Sequence, residues 1–377
     1  MTSIGEAVSR LRAWGEARDW KGYDPYDALN SPAAPALSLG TALGRRLVTQ
    51  AVKLSPANLR PLLGIRPDWN AKAVGLVASG YARLWAATGD ETCRRAAGRW
   101  LEWLEQHHSG DASGLAWGYH FDVQTRFFFY PRGAPNTIAT SFVAQAFMDG
   151  CDLLGDERWR AAAESAALYL ERRMYAPGGY FRYLPESSDL IHNANLLACA
   201  VLARTGSGPG EAVERALETS LRAQRPDGSW PYAAGDVGTW VDNFHTAYVL
   251  ESLALCKERF PAVEEALERG TAFWERELFL ADGRPKNDLE HVYPIDAHCY
   301  ASAIDAWLAL GRVAPARRTA LLLVERMLAP AGYVWFQEWR HWTNRVPFVR
   351  WTTAPGFRAL AGLMLAERDD ADLDRPR

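Results

Sequence analysis

Six stretches of the chain are apolar almost throughout and rich in alanine. They begin near residues 70, 137, 191, 244, 297 and 353 and include WNAKAVGLVASGYARLWAATG, NTIATSFVAQAFMDG, IHNANLLACAVLA, NFHTAYVLESLAL, AHCYASAIDAWLAL and RWTTAPGFRALAGLMLAE. Five segments between them, at 91–108, 157–174, 210–224, 261–278 and 314–328, place apolar residues at helical spacing with charges on the opposite side. A helix that is apolar all round is buried on all sides, whereas an amphipathic one keeps solvent at its back. Each amphipathic segment is followed by a Gly-marked aromatic stretch, such as SGLAWGYHFD, GGYFRYLPE, DGSWPYAAGD and AGYVWFQEW. Glycine permits the turn, and the aromatics read as short extended arms.

The repeat has a fixed register. His192, His245 and His298 each stand at the head of an apolar run, and 245 − 192 and 298 − 245 are both 53. One further step reaches Trp351, and one step back reaches Ala139. Fixed-period self-similarity means stacked supersecondary units. Six inner and five outer helices nearly close a ring, and the N-terminal segment 1–60 can supply the missing outer helix, from either 3–18 or 41–54. The pattern therefore predicts an all-α chain, one (α/α)6 toroid over residues 1–377 with a flexible tail at 368–377. An open solenoid would need polar capping repeats, and none follows the sixth inner run.

Such a ring gathers the helix heads on one side. His192, His245 and His298 would meet in one cup, with Asp242 and Asp296 beside them as catalytic candidates. Aspartates at these heads, Asp189 among them, are equally N-caps. A helix N-terminus favours neutral imidazole, which can accept a proton. The arms add Trp117, Tyr119, His120, Asp122, Arg182, Tyr183, Trp230 and Trp240; the heads and last arm add Asn136, Asn193, Glu338, Arg350 and Trp351. Flat aromatics among carboxylates, imidazoles and guanidiniums suit a sugar ring, and core packing competes for the same aromatics. The loop GYDPYDAL at 22–29 either folds over the cup or is a plain turn.

Composition narrows the class. A net charge of −3 argues against general nucleic-acid binding. Five cysteines without a C-x-x-C pair read as reduced thiols, and the N-terminus lacks the apolar core of a signal peptide, so a cytoplasmic location is expected. No apolar run is long enough to span a membrane. Metal-ligand and nucleotide-binding spacings are missing, so neither a metal nor another cofactor is expected.

The register, together with GYDPYDAL, NTIATSFVAQAF, IHNANLLA and VDNFHTAYVLESL, resembles the six-hairpin glycosidase and N-acylglucosamine 2-epimerase group of toroids, and within it a bacterial family found with exopolysaccharide-biosynthesis genes. The resemblance spans nearly the whole chain. It implies acid/base chemistry on a glycan or polysaccharide precursor, with paired histidines as bases on opposite faces of the sugar. Hydrolysis, a non-catalytic glycan-binding role in a synthesis complex and a terpenoid-cyclase-like activity are the alternatives. The last rests on QRPDGSW, which is similar to a repeat of those cyclases, but their D-x-D-D motif has no counterpart before the tail. Prenyltransferases bind zinc through Asp-x-Cys, whereas Asp296 and Cys299 stand one residue too far apart.

Overall fold

The computed structural model describes residues 2–373. It contains α1 (Ile4–Glu16), α2 (Ala34–Ser38), α3 (Ala42–Leu54), α4 (Ala71–Thr88), α5 (Glu91–Gln106), α6 (Thr137–Leu154) and α7 (Arg158–Tyr169). There follow α8 (His192–Thr205), α9 (Gly210–Leu221), α10 (Asn243–Cys256), α11 (Glu264–Glu277), α12 (Ala297–Ala309), α13 (Val313–Met327) and α14 (Ala354–Leu373).

The even-numbered helices from α4 to α14 pack each against the next, and α14 returns to α4, so the inner ring is closed. Each carries an outer helix, α5 on α4 through α13 on α12, and α1 completes the layer against α14 and α13. The chain is thus an (α/α)6 toroid, and of the two N-terminal segments the first supplies the sixth outer helix. The burial contrast is as the pattern requires. Helix α6 buries all but Asp152 and Leu153, while α5 buries only Cys93, Ala97, Trp100, Leu101 and Leu104. At the α4–α14 seam Gly80 lets the helices touch, since a Cβ there would lie 2.6 Å from the Phe357 ring. Helix α14 runs to Leu373, so 368–373 is helical where a flexible tail was expected, and 374–377 lies outside the described residues.

The arms are small antiparallel hairpins. Strand β1 (Val123–Gln124) pairs with β2 (Phe129–Tyr130), and β3 (Tyr175–Ala176) pairs with β4 (Tyr180–Phe181). Strands β5 (Ile295–Asp296), β6 (Gln337–Glu338) and β7 (Thr343–Asn344) form one three-stranded piece.

Inside the ring, each inner helix contributes one charged side chain to a chain of alternating sign. Glu251 on α10 accepts from Arg358 on α14 (3.1 Å), which also meets Asp305 on α12 (2.7 Å). Asp305 accepts from Arg83 on α4 (2.7 Å), whose Nε lies 3.6 Å from Asp149 on α6, and Arg204 on α8 closes on Asp149 at 2.7 Å. Burial acts to raise the Asp149 pKa, but Arg204, Arg83 and Arg358 outweigh it and hold it at about 2.

Removing one partner from a buried pair costs about 3–5 kcal/mol, because the other charge is stranded. Arg358→Met should therefore lower unfolding free energy by about that amount in chemical denaturation. The double variant Arg358→Met/Glu251→Met should recover part of it. A loss below about 1 kcal/mol in the single variant would show that the pairing is incidental.

Candidate active site

The head of α10 carries the most exposed of the three histidines in the register. Asp242 is the N-cap: its Oδ1 accepts the His245 backbone N–H at 2.9 Å. Its Oδ2 lies 2.6 Å from His245 Nδ1 and also accepts the Trp240 indole N–H at 3.1 Å. A carboxylate on Nδ1 fixes the proton there, leaving the Nε2 lone pair free. The His245 side chain is 22 % exposed, and Nε2 makes no hydrogen bond among the described residues. His245, His192, Asn193, Trp230, Tyr232, Trp240 and Asp242 line one narrow pocket. Tyr232 and Trp240 stack there at 4.6 Å between ring centroids, with His245 4.5 Å from the Tyr232 ring.

His192 lies deeper in that pocket, 1 % exposed. Its Nδ1 is 3.0 Å from Ser220 Oγ and its Nε2 has no partner. Burial lowers its pKa to about 4. Ile191, not Asp189, occupies the N-cap position of α8, and no side chain caps that helix.

His298 is not in this pocket. It is fully enclosed, stacked on Trp351 at 4.5 Å and separated from His245 by the Phe244 ring. Its Nδ1 is 2.7 Å from the Trp351 carbonyl, which can only accept, so Nδ1 bears the proton and Nε2 accepts from the Tyr248 hydroxyl. Lys72, near the head of α4, donates to the same hydroxyl at 3.3 Å. Burial, then Arg350 nearby, pushes the Lys72 pKa well below its usual value; burial, then Lys72, keeps His298 neutral. The sequence reading missed Lys72, although it is the one charge at the head of an otherwise apolar inner run.

Asp296 caps α12 through the His298 N–H (2.9 Å) and accepts from Trp351 Nε1 (2.9 Å) and Gln337 Nε2 (3.1 Å). Burial raises its pKa to about 6. The loop at 22–29 folds inward: Asp24 forms a two-bond ion pair with buried Arg350, and Tyr26 lies edge-on to Trp351. Arg350 lies over the Tyr119 ring at 4.8 Å. Tyr183 joins the aromatic wall against Phe128.

Other expected site residues have local work. Trp117 is buried and donates to the Leu104 carbonyl. Asn136 caps α6 through the Ala139 N–H, and Asp122 accepts the Arg132 backbone N–H. Arg182 donates to the Pro185 carbonyl within its own arm. Trp230 reaches the pocket edge while donating to the Ser220 carbonyl. Glu338 is held by Arg326 and Arg284. His120 meets Asn70 at 3.2 Å, and burial lowers its pKa to about 4. Among the described residues no three His, Cys, Asp or Glu side chains gather as metal ligands would, and no helix is long and apolar enough to cross a membrane.

No protein-family model matches the chain, and no curated protein matches it in sequence. Solved structures do match. An unsaturated glucuronyl hydrolase specific for heparin superposes with a TM-score of 0.64 at 14% identity, over 99% of this chain and 98% of its own. The cellobiose 2-epimerase of Spirochaeta thermophila gives 0.57 at 14% identity, over 82% and 89%. The GH76 alpha-mannanase of Bacteroides thetaiotaomicron gives 0.59 at 11% identity, over 81% and 88%. The chain shares the (α/α)6 fold of these six-hairpin toroids.

Proposed function

We propose that the chain is a carbohydrate-active enzyme that moves a proton on a sugar carbon, as an epimerase or lyase does, with His245 as the base. The observation that carries this reading is the Asp242–His245 pair at the mouth of a pocket walled by Tyr232 and Trp240. Asp242 holds Nδ1–H, so Nε2 is presented as a proton acceptor. The stacked aromatic pair supplies a flat apolar face for a sugar ring. His192 lines the same pocket with its Nε2 buried and unpartnered, which makes it the second imidazole nearest to a bound group. The match to solved sugar epimerases and glycan hydrolases is consistent with this class. In the wider setting we place the substrate among glycans or polysaccharide precursors of cytoplasmic exopolysaccharide metabolism.

Hydrolysis fits less well. It requires two carboxylates flanking the scissile bond. Asp242 is occupied by His245 and Trp240, Asp296 by Trp351 and Gln337, Glu338 by Arg326, and Asp122 by a backbone N–H. Arg350 is neutralised by Asp24, so it holds an acidic sugar only if the loop at 22–29 yields. On this reading His298 is a positioning residue: with Tyr248 and Lys72 it fixes the floor on which Trp351 and Phe244 rest.

Asp242→Asn separates capping from chemistry. Asparagine still caps the helix, so the melting temperature should stay near that of the wild type. Its amide presents N–H to Nδ1, which drives the His245 proton to Nε2 and removes the base. Turnover should fall by about 10²–10⁴-fold. The assay is wash-in of solvent deuterium at sugar carbons, followed by NMR across neutral sugars and uronates. Unchanged exchange in Asp242→Asn would refute the assignment. A protein that shows ligand-dependent thermal shifts but no exchange with any sugar would support the glycan-binding alternative.

His192 gives a pH signature. Its folded pKa of about 4 lies below the unfolded value of 6.5, so the unfolded chain binds the proton more readily between these limits. This group's contribution to stability is therefore complete above pH 6.5 and is lost progressively as the pH falls toward 4. His192→Gln should flatten the acid-side fall of denaturant-derived stability. An identical pH slope in wild type and variant would show that His192 is not held neutral.

A further inference from the structure

The N-terminal segment that covers the cup presents an apolar face outward. On α3 the exposed positions include Leu43, Leu47 and Leu54, with Ala51 between them, spaced so that they share one side of the helix. Leu43 is 64 % exposed and Leu47 61 %. Leu37, Leu39 and Leu62 of the same segment are exposed as well, Leu39 at 82 %. Leu39 also adopts a left-handed conformation, φ 52°, which glycine or asparagine would take at lower cost. Nothing within the fold gains from a leucine there. The opposite side of α3 faces the protein: Val52 and Thr49 are buried, and Lys53 donates to the Tyr26 hydroxyl at 2.9 Å.

Charge distinguishes this segment from the rest of the chain, although Lys53 and Arg60 point into the protein. Between Asp27 and Asp68 there is no acidic residue, while Arg45, Arg46, Lys53, Arg60 and Arg66 are basic. With a net charge of −3 for the whole chain, these five charges leave −8 on the remainder. Arg60 is neutralised by Asp27 and Arg45 is held by Gln124 and Phe129, but Arg66 is exposed and Arg46 partly so. A second copy of the same face would bring like charges together, which disfavours a symmetric dimer. An anionic surface with an apolar interior complements both features.

We propose that the outer face of α2 and α3 docks the protein peripherally on an anionic lipid bilayer. The leucines enter the headgroup–acyl boundary, and Arg46 and Arg66 meet lipid phosphates. This does not depend on the reaction assigned to the cup.

The test is co-sedimentation of the full chain with vesicles of phosphatidylcholine alone or mixed with phosphatidylglycerol. Binding to the mixed vesicles should be about tenfold or more tighter than to the neutral ones and should weaken as salt is added. The double variant Leu43→Ser/Leu47→Ser changes only exposed side chains, so it should melt like the wild type yet lose about tenfold or more of the binding. Arg46→Glu should weaken binding to the mixed vesicles alone; it still reports on the proposal if the leucine variant misfolds. Failure to sediment with mixed vesicles would overturn the proposal. So would a concentration-dependent dimer, seen by light scattering, that the leucine variant dissolves, because the face would then be a self-association surface.

Discussion

A closed ring of six buried helices leaves a lumen, and what fills it sets the rotation of every helix about its own axis. Here the filling is an alternating run of charge, Glu251–Arg358–Asp305–Arg83–Asp149–Arg204, one residue from each inner helix. Two of its bonds join helices that are not neighbours: Arg83 on α4 reaches Asp305 on α12 past α14, and Arg358 on α14 reaches Glu251 on α10 past α12. Apolar packing tolerates a helix turned by some degrees. A buried charge does not, because a displaced carboxylate is stranded away from water at a cost of several kcal/mol. The network contributes specificity, and the positions of the helix heads follow from it.

At the head end the same six helices leave their first N–H groups unsatisfied. Asn70, Asn136, Asp242 and Asp296 each bond these donors as N-caps. Two of the four caps do more. Asp242 orients His245, and Asp296 holds Trp351, whose carbonyl in turn orients His298. Capping and site construction are therefore carried by the same side chains. The middle of the cup is closed by the N-terminal loop, with Asp24 on Arg350 and Tyr26 on Trp351, and a narrow pocket of about 10 Å³ remains to one side, between the heads of α8 and α10.

The architecture was legible because its cause is local and periodic. Apolar inner runs, amphipathic outer runs and the interval of 53 between the histidines 192, 245 and 298 fix which helices are inside and which ends converge. The lumen network was also written in the sequence, as single charges within apolar runs: Arg83 in YARLW, Asp149 in FMDG, Glu251 in VLESL, Asp305 in AIDAW. They passed unnoticed because a charge is interpretable only with its partner, and each partner lies at least 53 residues away, as Asp305 does from Arg358. Glu338 and Arg182 differ: Arg326 and the Pro185 carbonyl lie only 12 and 3 residues away, but nothing in the sequence turns the side chains toward them. Lys72 escaped for a different reason: the longer insertion between α4 and α6 takes it out of the histidine register.

Equivalent positions in a repeat do not have equivalent chemistry, and the three histidines show why. Each engages Nδ1: His192 with a hydroxyl of α9, His245 with the cap carboxylate, His298 with a main-chain carbonyl. The difference lies at Nε2. His298 has its Nε2 consumed by Tyr248, and His192 keeps its own free but buried without a partner. Only His245 combines a carboxylate on one nitrogen with access to the pocket on the other, and a carboxylate stabilises the imidazolium that forms when a proton is taken. The register brings three imidazoles to one end of the barrel. The partner of each ring, contributed by a different element in each case, then decides which nitrogen is left without a bond.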